Sequence, residues 1–312
     1  MKTEIELRHL RYFLAVSETL HFGKAAERLA MTQPPLSQQI RNLERNLGYP
    51  LFDRTTRGAK LTKVGQFFVD RARSTLAKVG DDVEMARRLG RGQEGVLTVG
   101  FSGSIMFTIL PKAIGRYRRR YPAVEFRLRE LPTAEQTVAL LNGTLDLGFL
   151  RDGEAREGIT IEPILCEPYI AVLPSRHKLA ANAAISLREL KEEPFVLFAR
   201  ELGTLAYDRT MACCEAEGFR PNIVQHAPQW PTVLQLVAAG LGVSLAPECI
   251  RRIKTAGVLF KKVRSRHSTS IDIGMRATLD NPAAQVFLEI VRQQFAVAPL
   301  DRHKLALRSE TV

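Results

Sequence analysis

The sequence predicts an α/β protein in which a small helical domain and a long helix precede a larger domain of alternating strands and helices. Apolar residues recur with a helical period through the first 90 residues, and strand patterns alternate with helix patterns from about residue 96. The length of 312 residues suggests about two domains, each able to bury a core. Hydrophobic residues make up 45% of the chain and charged residues 25%, which argues against a disordered or fibrous protein.

Three short helices and a turn-rich segment are predicted at the N-terminal end. Thr32 precedes Pro34 and Pro35, a pattern typical of a helix start, because the first turn has no partners for N–H groups. The third helix places four apolar residues on one face: Leu36, Ile40, Leu43 and Leu47. Its opposite face carries Ser37, Gln38, Arg41, Asn42 and Arg45. This arrangement predicts a helix-turn-helix, followed by a two-stranded wing that ends near residue 62.

The net charge is concentrated in this part of the chain. The protein carries 45 Lys and Arg against 33 Asp and Glu, a formal net charge of +12. Residues 24–78 hold eleven of these cations and four of the acidic residues. A solvated surface is one explanation of such a run. The polar-faced helix beneath it favours another, a polyanionic partner.

A single long helix is predicted from about residue 62 to residue 91. Six modest apolar side chains follow at steps of 3 and 4, as in a coiled-coil seam: Val69, Ala72, Leu76, Val79, Val83 and Ala86. These side chains would not hold a lone helix in water, so the pattern predicts a partner helix and therefore a dimer. The glycine-rich segment 91–95 is predicted to be a hinge.

Strands and helices alternate after this hinge. The first predicted strands cover 96–101, 124–130 and 145–150, and the helices between them end near residues 121 and 142. A second set of strands covers 169–174, 195–198, 222–225 and 243–246, with helices at 203–217 and 231–239. A strand at 271–276 and a helix at 282–295 close the pattern. Two such sets predict two lobes, and ligands of these sheets lie beyond the carboxyl ends of the strands.

The sequence lacks motifs of catalysis, cofactor binding and membrane insertion. No apolar run approaches the ~20 residues that cross a bilayer, and we expect no signal peptide. Four cysteines make no disulfide framework, so we expect a reducing cytoplasm, structural roles for Cys213 and Cys214, and no metal site. Neither a nucleophile elbow nor a phosphate-binding glycine loop occurs, which predicts no catalytic residues and no cofactor.

Long stretches of the chain match a known pattern. The first is LRHLRYFLAVSETLHFGKAAERLAMTQPPLSQQIRNLERNLGYPLFDRTTRGAKLTKVGQ, followed by ILPKAIGRYRRRYPAVEFRL, LLNGTLDLGF, EPYIAVLPSRHKLA and LVAAGLGVSLAP. On these residues the chain resembles the LysR-type transcriptional regulators over nearly its whole length. The stretches VGFSGSIMFTILPKAIGRYRRRYP and ELPTAEQTVALL are most similar to the branch that controls aromatic-acid breakdown and responds to benzoate, muconate or chloromuconate.

The resemblance implies a ligand-responsive regulator that binds a partly palindromic promoter site on double-stranded DNA as a dimer or tetramer. It implies a winged helix-turn-helix at 5–62, a dimerisation helix at 63–92, and an effector domain like a periplasmic binding protein at 93–300. Lobe I would comprise about 96–168 and 269–299, lobe II about 169–268, and a tail 301–312. The effector would be a small aromatic or dicarboxylic acid, and RNA polymerase is a further candidate partner. Two alternatives stay open: an α/β enzyme acting on a small acid, and a DNA-packaging protein that ignores small molecules.

The candidate DNA contacts lie at the start of the third helix, which enters the major groove in such motifs. Gln pairs with adenine and Ser serves several bases, so Gln33, Ser37 and Gln38 are predicted to read base edges. Thr32, Pro34 and Pro35 cap and start the helix, contact DNA, or do both. Arg41 is predicted to meet a phosphate, together with Lys24 and Arg45. On the wing, Arg54 and Arg57 reach phosphate or minor groove, unless Arg54 pairs with Asp53.

The candidate effector contacts follow the predicted strands. Ser102 and Ser104 open a helix after the first strand, where free N–H groups and hydroxyls suit a carboxylate. Thr133 follows the second strand, and the aromatic-acid branch has effector hydroxyl contacts where Ser104 and Thr133 fall; capping alone is the alternative for all three. Arg151, after the third strand, adds a cation or pairs with Asp152 or Glu154. From the second lobe, Tyr207 and Trp230 face the cleft or belong to the core.

Overall fold

The computed structural model of the chain describes residues 5–55 and 58–295, without the side chains of residues 54 and 55. These residues form two compact units that divide between Arg88 and Leu89. Arg57 at the tip of the predicted wing and the predicted tail 301–312 lie outside the described residues.

The first unit is a winged helix-turn-helix followed by a long helix, as the sequence predicts. Its elements are α1 Leu7–Thr19, α2 Phe22–Arg28, α3 Gln33–Leu47, β1 Phe52–Thr55, β2 Gly58–Leu61 and α4 Lys63–Gly90. The predicted apolar face of α3 is buried, and Leu36, Ile40 and Leu43 are inaccessible to solvent. Gly48 ends α3 in the left-handed region with φ +79°. Glu44 of α3 then accepts the backbone N–H groups of Leu51 at 2.8 Å and Phe52 at 3.1 Å, which fixes where β1 begins.

The long helix α4 is covered along its first half by its own unit. Ala72 is buried in the helix-turn-helix core, and Val69 and Leu76 pack against that core. By contrast, every residue from Asp81 to Gly90 is exposed. The argument that all six seam residues need a partner helix was therefore wrong for the first three. It still applies to the exposed residues at the other end of the helix.

The second unit is a mixed α/β domain. Its strands are β3 Gly95–Phe101, β4 Val124–Glu130, β5 Leu147–Arg151, β6 Ile159–Pro174, β7 Ala184–Ile185, β8 Pro194–Leu197, β9 Asn222–His226, β10 Ser244–Pro247, β11 Val258–Val263 and β12 Ser268–Arg276. Its α-helices are α5 Leu110–Arg120, α6 Thr133–Leu141, α7 Thr204–Glu215, α8 Trp230–Ala238 and α9 Pro282–Gln294. Short 3₁₀ helices cover Gly103–Phe107, Leu187–Leu190, Arg200–Leu202 and Glu248–Arg252.

The long strand β6 passes through both lobes of this domain. The main sheet has the order β4-β3-β5-β12-β6-β11-β7, and β10 also pairs with β6. Residues 159–168 of β6 pair with β12, whereas residues 169–174 pair with β10 and β11. Strands β3, β4 and β5 are parallel, so Phe101, Glu130 and Arg151 end at one edge of the sheet. The described residues contain no helix with both the length and the hydropathy of a membrane span.

Candidate functional site

The start of α3 presents an exposed polar surface. Thr32 occupies the N-cap position, but its side chain makes no capping hydrogen bond. The reason is local: a capping hydroxyl accepts an N–H from the second or third helical residue, and here these are Pro34 and Pro35. Gln33 and both prolines are exposed. The side chain of Thr32 is therefore left available to a partner outside the helix.

One turn further along α3, three polar side chains form a chain of hydrogen bonds. Arg41 Nη2 donates to Gln38 Oε1 at 2.9 Å, and Gln38 Nε2 donates to Asn42 Oδ1 at 3.1 Å. Gln38 and Arg41 are exposed, and Arg41 has no ion pair with a carboxylate of the described residues. This guanidinium is free to meet an external anion.

Ser37 is placed differently from the prediction. Its side chain was assigned to the polar face of α3, but only 9% of the residue is exposed. Ser37 lies beside Leu36 at the margin of the buried face, so it offers little surface to a partner. The side chain of Arg54 and all of Arg57 lie outside what the structure describes, while Lys24 and Arg45 are exposed.

A cavity of about 130 Å³ lies beyond the carboxyl ends of β3, β4 and β5. An engineered apolar cavity of comparable size holds a benzene-sized molecule. Five of the six predicted effector contacts line it: Ser102, Ser104, Thr133, Arg151 and Trp230. Gln229, next to Trp230, lines it as well. The segment 102–104 was predicted to open an α-helix, and this was wrong. It leads into the 3₁₀ helix Gly103–Phe107, and α5 starts only at Leu110. Hydroxyl groups, rather than a helix terminus, give this wall its polarity.

The hydroxyls of Ser102 and Thr133 form one cluster. Their oxygens are 3.2 Å apart, and Ser102 Oγ also accepts from Gln136 Nε2 at 3.2 Å. Thr133 Oγ1 accepts the backbone N–H of Arg151 at 3.2 Å. When Thr133 donates to Ser102, the hydroxyl hydrogen of Ser102 becomes available to a ligand. Thr133 Oγ1 can also donate to the carbonyl oxygen of Arg151 at 3.3 Å, and Ser102 then donates to Thr133. The cluster therefore offers a hydroxyl hydrogen to the cavity in one of its two hydrogen-bond arrangements.

Arg151 lies behind this cluster and is 8% exposed. The sequence suggested Asp152 or Glu154 as its ion partner. In the structure Arg151 pairs instead with Glu167 of β6 at 2.8 Å. Arg151 Nη2 also donates to Ser104 Oγ at 3.2 Å, so the hydroxyl hydrogen of Ser104 stays free to donate. Arg151 Nε is buried and has no hydrogen-bond partner among the described residues. The charge of Arg151 is thus balanced by Glu167, and its Nε–H is enclosed without a partner among the described residues.

A second buried ion pair joins the two lobes behind the cavity. Asp152, at the end of β5, pairs with Arg209 of α7 and accepts the Thr269 hydroxyl at 2.6 Å. Asp272 accepts the N–H of Gly153 at 2.7 Å and the hydroxyl of Ser270 at 2.8 Å. Burial, with the nearby charge of Asp152, raises the pKa of Asp272 to about 6.

The wall opposite the hydroxyl cluster is apolar. Phe198 and Trp230 line it with their ring centroids 6.4 Å apart. Tyr207 does not line the cavity: it packs edge-on against Phe198 at 6.0 Å and supports that ring. The prediction of Tyr207 as a direct contact was therefore wrong, because Phe198 takes that place. Sequence reasoning treated Phe198 only as the end of a strand.

The adjacent cysteines of α7 are enclosed within the second lobe. Cys213 and Cys214 are buried in the second lobe, and burial raises the pKa of each thiol to about 12. No group of three or more His, Cys, Asp or Glu side chains within residues 5–55 and 58–295 is placed to hold a metal ion.

Comparisons with known proteins cover both units. Residues 7–66 match the model of the bacterial regulatory helix-turn-helix protein, lysR family, and residues 90–296 match the LysR substrate binding domain. The HTH-type transcriptional regulator AlsR of Bacillus subtilis is 38% identical over 287 residues, 92% of this chain and 95% of AlsR. The HTH-type transcriptional regulator BenM of Acinetobacter baylyi is 32% identical over 295 residues, 94% of this chain and 97% of BenM. The crystal structure of full-length CbnR complexed with the target DNA matches with a TM-score of 0.79 at 29% identity, covering 93% of this chain and 99% of CbnR.

Proposed function

The chain belongs to the LysR family of DNA-binding transcriptional regulators, and from this premise we propose that a small organic acid in the cavity sets its action at a promoter. The related proteins are named transcriptional regulators, which argues against the alternative of an α/β enzyme that acts on a small acid. The single observation that carries the proposal is the cavity itself, which is of about benzene size and sets serine and threonine hydroxyls, with Arg151 among the lining residues, opposite an apolar wall.

The acid's carboxylate would bind the donors at the strand ends. Ser104 supplies a hydroxyl hydrogen that no described residue accepts, and the Ser102–Thr133 pair supplies one when Thr133 donates to Ser102. Charge-assisted hydrogen bonds of this kind are stronger than neutral ones. Phe198 and Trp230 would pack on the body of the ligand. The resemblance favours an aromatic acid, but identity to AlsR exceeds identity to BenM, so the proposal covers organic acids in general.

A bound acid acts by preferring one arrangement of the lobes. The Asp152–Arg209 pair and the Arg151–Cys249 contact at 3.6 Å both join one lobe to the other beside the cavity. A ligand that binds one arrangement more tightly shifts the population toward it, by no more than its differential affinity. We expect that shift to change the DNA-bound shape of a dimer or tetramer.

The DNA surface would be the exposed start of α3. Gln33 and Gln38 would read base edges, with Thr32, Pro34 and Pro35 beside them and Arg41 on a phosphate. The free Thr32 hydroxyl supports this assignment, since the prolines remove its capping role. For Ser37 the burial argues for a structural role with at most a marginal contact. Arg54 and Arg57 of the wing remain predicted contacts.

We propose that the chain is divided into three parts. Residues 5–62 form the DNA-binding domain, residues 63–92 the dimerisation helix, and residues 93–300 the effector domain. The exposed second half of α4 supports a partner helix there, with Val83 46%, Met85 45% and Leu89 41% exposed. Further assembly to a tetramer and contact with RNA polymerase stay predictions from the family resemblance.

The effector assignment is tested by thermal shift and calorimetry with a panel of aromatic and aliphatic acids. Ser104→Ala and Thr133→Ala should each weaken the best acid about tenfold, the usual value of a charge-assisted hydrogen bond. Thr137→Ala is the matched control, because Thr137 lies on the same helix, bonds only the Thr133 carbonyl at 3.0 Å and does not line the cavity. Unchanged affinity in both test variants would contradict the assignment.

A further inference from the structure

We propose that Gln39 of α3 donates a hydrogen bond to a DNA phosphate, and that His9 of α1 is the positioning residue that turns the Gln39 amide toward the DNA. The inference rests on the DNA surface of α3 proposed above and deepens it, because it adds a contact that the sequence did not indicate. Its starting point is a chain of hydrogen bonds that joins the start of α1 to α3.

This chain begins at the backbone of Glu6, which precedes α1. The N–H of Glu6 donates to His9 Nδ1 at 3.0 Å, so this nitrogen carries no hydrogen. A neutral imidazole has one N–H, which then lies on Nε2. His9 Nε2 is 2.9 Å from Gln39 Oε1. The imidazole therefore donates to the amide oxygen, because the other neutral tautomer would leave two donors facing each other at Glu6.

The contact with His9 fixes the orientation of the Gln39 amide. The amide oxygen faces the imidazole, which is buried with only 5% of His9 exposed, and the NH₂ group therefore faces away from the ring. The residues that the structure describes accept neither hydrogen of Gln39 Nε2, and this nitrogen is not enclosed. An amide that rotated freely would present oxygen and nitrogen in turn. The Gln39 amide instead presents two donors at the surface of the domain.

The half-buried Gln39 lies at the flank of the proposed DNA surface. It follows the exposed Pro35 by four residues, so the two share one stripe of α3. Gln38 lies opposite the buried Leu36, about 100° around the helix from Gln39. An α-helix with its side chains is about as wide as the major groove, so its middle faces base edges and its flanks face the sugar-phosphate walls. An amide donor at a flank suits a phosphate oxygen.

The lack of charge separates this contact from that of Arg41. A cation that meets a phosphate releases a counterion and adds about one unit to the salt dependence of binding, whereas a neutral amide releases none. Gln39 should therefore add affinity without adding to the salt slope. Because a phosphate carries no sequence information, this affinity should be the same on specific and random DNA.

The experiment measures binding of the full-length protein by fluorescence anisotropy at several salt concentrations. One duplex is selected from a random library by the wild-type protein, and the other has a random sequence. Gln39→Met keeps the length of the side chain and removes the amide. We expect it to weaken binding to both duplexes by about three- to tenfold, as for a neutral hydrogen bond, and to leave the salt slope unchanged. Gln293→Met is the matched control, since Gln293 is exposed on α9 in the other unit.

The role of His9 is tested through Gln39. His9→Leu removes the N–H that orients the amide, and His9→Gln restores an N–H at about the same place. We expect His9→Leu to cause part of the loss seen for Gln39→Met, His9→Gln to recover it, and His9→Leu to add no loss to Gln39→Met. Stoichiometric titration gives the active fraction of each variant. Wild-type binding by His9→Leu, no recovery in His9→Gln, or a further loss in the double variant overturns the positioning role.

Arg41→Ala separates the contact of Gln39 from the surface to which it belongs. Unchanged affinity in Gln39→Met, a loss confined to the selected duplex, or a reduced salt slope overturns the phosphate contact. The DNA surface of α3 then stands if Arg41→Ala weakens binding to both duplexes. If Arg41→Ala and Gln39→Met both bind as the wild type does, the proposed surface itself is overturned, and the contact falls with it.

Discussion

The start of α3 and the wall of the cavity use charge in opposite ways. On α3, Arg41 is exposed, and among the described residues its side chain hydrogen-bonds only to the neutral Gln38. Around the cavity, Arg151 and Asp152 are buried, and each has an ion partner that is remote in sequence. A surface that meets a polyanion needs cations without intramolecular partners, because their binding releases counterions from the phosphates. A cavity for one small molecule needs groups whose positions are already fixed.

The largest expected effect comes from breaking the buried ion pair of Arg151 and Glu167. Arg151→Met leaves the Glu167 carboxylate buried without its cation, which should lower the free energy of unfolding by about 3–5 kcal/mol. Urea denaturation of the effector-domain transition measures it. Arg292→Met is the control, since its pair with Glu162 is half-exposed and should contribute at most about 1 kcal/mol. A loss at Arg151 no larger than at Arg292 would contradict the account of the buried pair.

The next effect concerns pH. Because the pKa of Asp272 is raised to about 6 in the folded protein, the folded state binds more protons than the unfolded state between about pH 4 and pH 6. The contribution of Asp272 is therefore most favourable below this window and is lost as the pH rises through 6. Asp272→Asn should remove this dependence, so its stability relative to wild type should increase by about 3 kcal/mol from pH 4 to pH 7.

Urea denaturation curves measured at a series of pH values test the pH dependence of Asp272. Asp280→Asn is the control, because Asp280 is exposed. A difference between Asp272→Asn and wild type that stays constant with pH would show that Asp272 is not held in its protonated form.

On the exposed side, the second half of α4 tests the predicted dimer. Val83→Glu places a charge where a partner helix is expected, and it should raise the dimer dissociation constant about a hundredfold, from lost apolar burial in both copies. Sedimentation velocity across a concentration series measures this. Lys78→Glu, on the same helix but paired with Asp82, is the charge-changing control. A dimer that tolerates both changes equally would place the interface elsewhere.

The smallest effect separates positioning from base reading on α3. Arg41→Ala should weaken binding to specific and random duplexes alike, by about tenfold, and reduce the salt slope by about 1. Gln33→Ala should instead lower the preference for the operator and change affinity for random DNA little. Fluorescence anisotropy at several salt concentrations distinguishes them, with Arg264→Ala in the effector domain as control. Equal losses on both duplexes for Gln33→Ala would contradict base reading.

Elements with a regular spacing of apolar residues could be predicted from the sequence. Elements that depend on contacts with residues distant in the sequence could not. The buried face of α3 and the strand β4 follow directly from apolar spacing. The first half of β6 was missed because Pro163 and Pro168 look like strand breakers; the structure accommodates Pro163 with a bulge opposite Ile271 and Asp272. His21 is similar: its Nδ1 caps α2 by accepting from Gly23 at 3.1 Å, although histidine is not among the preferred caps.

The same division applies to the site. Ser102, Thr133 and Arg151 follow three parallel strands, so their meeting at one edge could be predicted. The partners of the charges could not be predicted, because they are remote in sequence: the sheet brings Glu167 of β6 to Arg151 of β5, and the contact between the lobes brings Arg209 to Asp152. Phe198 takes the place of Tyr207 at the cavity because the packing of α7 decides which ring faces inward.

Binding of the full-length protein to a promoter fragment, with and without an acid that stabilises it thermally, tests the central claim most directly. We predict that the promoter fragment is bound at least about a hundredfold tighter than random duplex at moderate ionic strength. The stabilising acid should change the length or bend of the protected DNA, and Ser104→Ala should weaken that response while leaving unliganded DNA binding intact. An acid that stabilises the protein and leaves its DNA complex identical at saturation, or a protein without preference for any promoter fragment, would contradict the claim.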